Sequence, residues 1–307
     1  MPGALLYQAV LHFWKSDYGL AEQTQLEASQ IAAEVRDGFY LPLSLLYLGL
    51  TRANRGQLSA ALANMQEAFD LAKRNHNGVA LSRVPNGLGW VWREIGDLSK
   101  SLEFDQLCVE TSRRTRAAEA EANGLINLVH GFLQAGESGK AAEALEGVQP
   151  LYDRERWNRW RFYGIRHRAA EAEYWLSLGK LDRAEEHVRT LLENAENHGI
   201  PKYLAVGRRL LGEIATASGD LNTAEETLTR SLEPFATHPV PLIEWRNHVA
   251  LGRVLAARNR PAASREAFGR AGVLVQQLAE SILDPSVRAL FLKTNAVREV
   301  LASAARQ

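Results

Sequence analysis

The residues best suited to chemistry in this 307-residue chain fall into four groups, and three of them argue against catalysis. The segment Gln134-Ala135-Gly136-Glu137-Ser138-Gly139-Lys140-Ala141 is the nearest approach to a phosphate-binding loop. It lacks the leading Gly and the Ser or Thr after the Lys, and no strand leads into it, so its backbone is not arranged to cradle phosphate. The eight histidines are dispersed and none belongs to an HExxH pair, which removes the usual zinc-hydrolase geometry. His76 and His198, in Arg74-Asn75-His76-Asn77 and Glu196-Asn197-His198-Gly199, read as solvated helix ends. Cys108 is the single cysteine, so a disulfide within the chain, a zinc ribbon and a CxxC redox pair are excluded, and its surroundings read as core filler.

The fourth group binds rather than reacts. In the run from Asp153 to Arg168, six arginines interleave with four aromatic residues, and Trp157, Trp160 and Tyr163 share one side at helical spacing. Trp, Tyr and Arg dominate protein-binding hot spots, so Trp157, Trp160, Arg161 and Tyr163 form a candidate protein interface. Arg with aromatic rings is also the composition of single-strand nucleic-acid contacts. Lys+Arg and Asp+Glu are equal at 36 each, however, and a chain without net charge lacks the footprint of a nucleic-acid or anionic-membrane binder. No apolar stretch approaches the roughly 20 residues of a membrane span, and the N-terminus has no Lys or Arg before Lys15, unlike a signal peptide. With one cysteine, this composition fits the cytoplasm.

The elements that position these residues come from a repeat. Gly56, Gly96, Gly136, Gly179 and Gly219 are separated by 40, 40, 43 and 40 residues, and five residues after each stands Ala61, Ser101, Ala141, Ala184 or Ala224. Extending the ruler by forty in both directions reaches Ala21 and Ser264, with Ser16 and Asn259 in place of the turn glycine. Apolar residues at helical spacing lie on both sides of each turn, as in Leu45, Leu48 and Gly49 before Gly56 and Leu58, Leu62, Met65 and Phe69 after it. Each unit is therefore a hairpin of helix A and helix B that buries its apolar faces by stacking on its neighbours. Asp97, Asp220 and the pair Asp284-Pro285 suit helix starts.

The order Leu48, Gly49, Gly56, Ala61, Met65, Ala68, repeated in Leu211, Gly212, Gly219, Ala224, Leu228, Ser231, resembles the tetratricopeptide repeat (TPR). Its period is longer than the standard 34, so helices about a turn longer are expected. The resemblance implies an all-α, α-α superhelix: a TPR-like solenoid of about seven helical hairpins over residues 1–284, with capping helices over 285–307. A forty-residue period, with the tail from Ile282 to Leu301, looks like the C-terminal arrays of large signalling ATPases such as maltose-regulator-type activators and ATPase/cyclase proteins. That implies a sensor or scaffold portion of a longer polypeptide.

In the resembled family ligand contacts come from helix A positions 2, 5, 9 and 12. Here these carry Arg83, Asn86, Trp90 and Arg93, then Asn123 and His130 with Asn127 adjacent, and later Arg166, Arg209, Arg246 and Arg253. Six arginines against two glutamates in that row predict an electropositive groove for an extended acidic peptide, with Asn86 and Asn127 bonding its backbone and Trp90 as an apolar platform. The expected function is a non-catalytic protein-interaction scaffold without cofactor or metal. Its partner is a protein, a peptide or another domain of the same polypeptide, not nucleic acid or membrane. The alternative is a ligand-sensing regulatory array of a signal-transduction ATPase, transcription regulator or cyclase.

Overall fold

The computed structural model describes residues 1–154 and 164–304, which form sixteen α-helices, one short 3-10 turn and no strand. The helices pair in sequence: α1 (Pro2–Trp14) with α2 (Tyr18–Glu34), α3 (Tyr40–Asn54) with α4 (Leu58–Arg74), α5 (Gly78–Ile95) with α6 (Leu98–Thr115), and α7 (Ala118–Gln134) with α8 (Ser138–Arg154). These eight lie in one compact unit, Met1–Gly164. A second unit, Ile165–Gln307, holds α9 (Ile165–Ser177) with α10 (Leu181–His198), α11 (Pro201–Ser218) with α12 (Leu221–Arg230), and α13 (Pro241–Ala257) with α14 (Pro261–Glu280). It ends in α15 (Pro285–Lys293) and α16 (Asn295–Ala304), with α16 packed on α14 as a cap. The fold is thus all-α and TPR-like, and most helices run 17 or 18 residues, as the long period requires. Among the described residues no helix is long and apolar enough to cross a membrane.

Both kinds of turn use one backbone device. At the A-to-B turns Gly56, Gly96, Gly136, Gly179 and Gly219 all have positive φ, and so do Ser16 and Asn259 where the ruler places them. The N–H one residue further on reaches back to the carbonyl five residues before it, as Asp97 N does to Trp92 O at 3.0 Å, closing the helix with a Schellman motif. Asp97 and Asp220 then cap the next helix by accepting from Lys100 N and Thr223 N. The B-to-A turns close in the same way but place Arg36, His76 and Arg116 in the left-handed position, with glycine returning at Gly199.

Within a hairpin the backbones approach where helix A has a glycine. A Cβ on Gly49 would lie 2.7 Å from Met65 Cγ, so the wholly buried Met65 seats against bare backbone. Between hairpins, each helix A of α3, α5 and α7 contacts the helix A before it, as α11 contacts α9 and α13 contacts α11. This places the A helices side by side within each unit. One element departs from the ruler: α12 stops at Arg230 and gives way to a 3-10 turn at Glu233–Ala236. Pro234 is the cause, because its ring disfavours α geometry at Glu233 and it has no N–H to continue the ladder.

Candidate functional site

The A-helix face of the first unit gathers seven of the sequence-nominated residues onto α5 and α7. Asn86 Nδ2 donates to the Asn123 carbonyl at 2.9 Å, and Asn127 Nδ2 donates to the Asn86 carbonyl at 2.9 Å. Asn127 gives its other amide hydrogen to Asp105 Oδ1 at 2.8 Å and is wholly buried. Asn123, also buried, donates to the Glu119 carbonyl and carboxylate. These amides stitch α5 to α7, and a polar ladder of this kind is satisfied only in one register.

The arginines are engaged as well. Arg83 pairs with Glu119 at 2.7 Å and donates to the Val79 carbonyl. Arg93 donates to the Asn127 carbonyl at 3.3 Å and lies beside Glu94, which also accepts from Trp90 Nε1 at 3.1 Å. Trp90 is half-buried between them, and His130 sits one turn beyond Asn127 and Ile126 at the rim of the buried stretch of α7. Glu94 and Glu119 lie outside the nominated row, so the row's positive charge is offset by carboxylates that the nominated positions alone do not reveal.

In the second unit the pattern repeats with different partners. Arg209 bridges Glu213 at 2.7 Å and Glu173 at 3.1 Å, tying α11 to α9. Burial alone would lower its pKa, yet the two carboxylates outweigh that and raise it, so the guanidinium is firmly charged. Arg253 holds Glu299 of α16 through two bonds of 2.9 and 2.5 Å, which fastens the cap to α13. Arg246 donates to the Leu242 carbonyl and stacks its guanidinium 4.9 Å from the Trp245 ring centroid. Arg166 opens α9, where its charge offsets part of the rise that desolvation imposes on the Tyr203 hydroxyl.

A cluster that the A-row reasoning missed lies next to Arg166. Glu171 takes Arg168 at 2.6 Å, His187 at 3.2 Å and His167 at 3.5 Å. Burial raises the Glu171 carboxyl, but the His187 hydrogen bond and the neighbouring positive charges prevail and hold it below its ordinary value. Its signal in the sequence was Arg166-His167-Arg168 facing Glu171 one turn on. The second interface candidate, Trp157, Trp160, Arg161 and Tyr163, lies outside the described residues. The loop-like segment 134–141 is an A-to-B turn, with Gly136 left-handed and Lys140 paired to Glu137 at 2.5 Å. Cys108 is wholly buried between the Ser82 and Ala120 carbonyls. Among the described residues no three His, Cys, Asp or Glu side chains are grouped to hold a metal.

No protein-family model and no curated protein matches the sequence. Solved structures do. The chain is similar to a tetratricopeptide repeat protein from Parabacteroides merdae, with a TM-score of 0.52 and 14% identity over 99% of this chain and 98% of that one. It is similar to a Rap protein complexed with Competence and Sporulation Factor, with a TM-score of 0.60 and 11% identity over 99% of both chains. It is also similar to a signal transduction ATPase with numerous domains from Pyrococcus horikoshii that carries a tetratricopeptide repeat sensor. There the TM-score is 0.60 and the identity 10%, over 92% of this chain and 42% of that one. Hairpin ladder, turn chemistry and these likenesses agree: the chain has the fold of tetratricopeptide repeat proteins.

Proposed function

We propose that the chain is a non-catalytic protein-interaction scaffold that receives an extended acidic segment along the A-helix face of α5 and α7. The observation that carries this reading is the row Arg83, Trp90 and Arg93 on one helix, each half-buried and held in place by a neighbour. A guanidinium has five N–H donors, so Arg83, fixed by Glu119 at 2.7 Å, keeps donors for a second carboxylate and needs little ordering when a ligand arrives. Support for a protein-binding role comes from the neighbours: one is a Rap protein solved with Competence and Sporulation Factor, another carries its repeats as a sensor.

The test is affinity capture with the natural chain and with Arg83→Glu combined with Arg93→Glu, using thermal melting to monitor the fold. Loss of a captured partner by a variant that still melts cooperatively is the expected result, at a somewhat lower temperature because Glu119 and the Asn127 carbonyl lose their donors. A capture profile identical for the two proteins would remove the A-helix face from consideration. A second reading, a ligand-sensing array coupled to a larger ATPase, draws on the correspondence with 42% of the Pyrococcus horikoshii protein. It predicts a small-molecule ligand that raises the melting temperature of the natural chain by mass action.

A further inference from the structure

The arginines of the A-helix face are all engaged, but a second set in the first unit is not. At the ends of α2, α4 and α6 the exposed residues include Arg36, Arg74, Arg114 and Arg116, and none of these side chains makes a hydrogen bond or ion pair. Lys73 and Arg113 stand beside them, the first over the Phe69 ring and the second paired with Glu121. Basic residues in the last turn of a helix are ordinary, because they favour the helix C-terminal dipole. That explains Arg74 and Arg114. It does not explain Arg36, His76 and Arg116, which recur every forty residues in the left-handed conformation, with φ of 53°, 50° and 56°. A side chain with a Cβ is strained there, and the A-to-B turns of this unit close the same motif with glycine at Gly56, Gly96 and Gly136 and with the small Ser16 at the first. Strain kept at three successive turns, each time by a cationic or ionisable side chain, marks a place where the side chain is used.

These turns surround a cleft of about 600 Å³ lined by Phe39, Asn75, His76, Val79, Arg83 and Thr115 among others. Phe39 and Val79 are exposed apolar residues on its wall. Three acidic groups nearby are occupied: Asp37 accepts from Phe39 N and Tyr40 N, Glu119 holds Arg83 and Glu121 holds Arg113, while Glu34 and Asp70 accept only from Gln30 and Gln66 on their own helices. The edge therefore combines free cations with an apolar notch, while the whole chain has no net charge.

We infer that the B-to-A turn edge of α2 to α7 is a docking surface for an acidic segment of a partner protein. In this arrangement one apolar side chain enters the cleft by Phe39 and Val79, and flanking carboxylates meet Arg36, Arg74, Arg114 and Arg116. Charge complementarity selects the acidic partner, and the apolar wall selects a peptide over a bare polyanion. This edge meets the A-helix face at Arg83, which lines the cleft, so the two surfaces are told apart at Arg36, Arg114 and Arg116 on one side and Arg93 on the other.

The experiment is fluorescence anisotropy with a labelled peptide of Asp and Glu around a central Phe, titrated with the full chain. Arg36→Glu, Arg114→Glu and Arg116→Glu together should weaken binding at least about tenfold. These side chains have no ion-pair partners in the fold, so melting should fall only slightly, by the C-terminal dipole interaction lost at Arg114. Arg189→Gln, on α10 of the second unit, should leave this affinity unchanged, whereas a loss of affinity on Arg93→Gln but not in the triple variant would assign the peptide to the A-helix face and overturn the inference. Arg116→Gly supplies a second readout: it relaxes the turn, so the melting temperature should rise while peptide affinity falls. Absence of binding by the natural chain overturns the inference. So does equal affinity of the triple variant, or a labelled single-stranded oligonucleotide that binds the natural chain as tightly as the peptide.

Discussion

The second and third hairpins use the same backbone device with opposite chemistry. In the second, bare backbone at Gly49 meets the thioether side chain of Met65. In the third, at the equivalent position, a Cβ on Gly89 would lie 2.2 Å from Asp105 Oδ1. Asp105 is wholly buried and accepts from Asn127 of the next hairpin and from Ser101. The register position is a socket rather than a hydrophobic site. Met65 fills it by burying apolar surface, on the order of 2 kcal/mol. Asp105 fills it by completing a hydrogen-bond chain that fixes how the third and fourth hairpins stack, and such a chain is costly when broken and nearly neutral when replaced whole.

The largest expected effect separates the two sockets. Gly89→Ala must displace a buried carboxylate and should destabilise by about 3 kcal/mol, while Gly49→Ala, which meets Met65 Cγ at 2.7 Å and the Ala61 carbonyl at 3.0 Å, should cost about 2 kcal/mol. Equal losses in urea unfolding would show that the glycines matter only for backbone spacing. Next, Asp105→Leu should cost about 2 kcal/mol because it strands the Asn127 amide. Adding Asn127→Leu should recover most of the loss, a coupling visible in a double-mutant cycle. Additive losses would mean the polar chain has no collective role.

The first hairpin sharpens the comparison from the other side. Gln25 occupies the same register position, is wholly buried, and its amide has no hydrogen-bond partner. Gln25→Met, copying the second hairpin, should therefore stabilise by about 1 kcal/mol. A loss of stability on that change would place an ordered water or another polar partner at the amide. The smallest effect concerns Glu171 in the second unit, whose carboxyl is held below the ordinary 4.5. A depressed folded value contributes stability that is present above the unfolded pKa and lost as pH falls through the folded one. Melting followed down from neutral pH should thus decline below the ordinary carboxylate range, and Glu171→Gln should flatten part of that decline. An identical pH profile in the variant would detach the cluster from acid sensitivity.

What the sequence makes legible here is what the backbone demands. Left-handed turns, small residues at close approaches and caps such as Asp97 and Asp284 are local, so their spacing alone places them. Ser16 and Asn259 were readable as turns for the same reason. The candidate site was readable as a row of positions but not as a charge state. Arg83 with Glu119 and Arg209 with Glu173 are 36 residues apart, one repeat less one helical turn, and a ruler set to forty passes over them. Nor does a forty-residue register reveal that Asp105 has taken a core position, since its justification, Asn127, lies in the next unit. Pro234 broke α12 by a rule that was available in the sequence but masked by the helical pattern around it.

The short reach of these contacts has a consequence for how such a chain comes into being. The pairs that fasten one hairpin to the next, from Arg83–Glu119 to the Arg253–Glu299 clasp, join residues no more than 46 positions apart. A nascent chain can therefore complete each stacking layer as soon as the following hairpin has been synthesised, without waiting for distant sequence. Low contact order of this kind favours rapid, stepwise consolidation from any starting hairpin. It also makes a whole hairpin the natural quantum of insertion or loss, since joining Gln57 to Leu98 would still set a left-handed turn before the start of a helix.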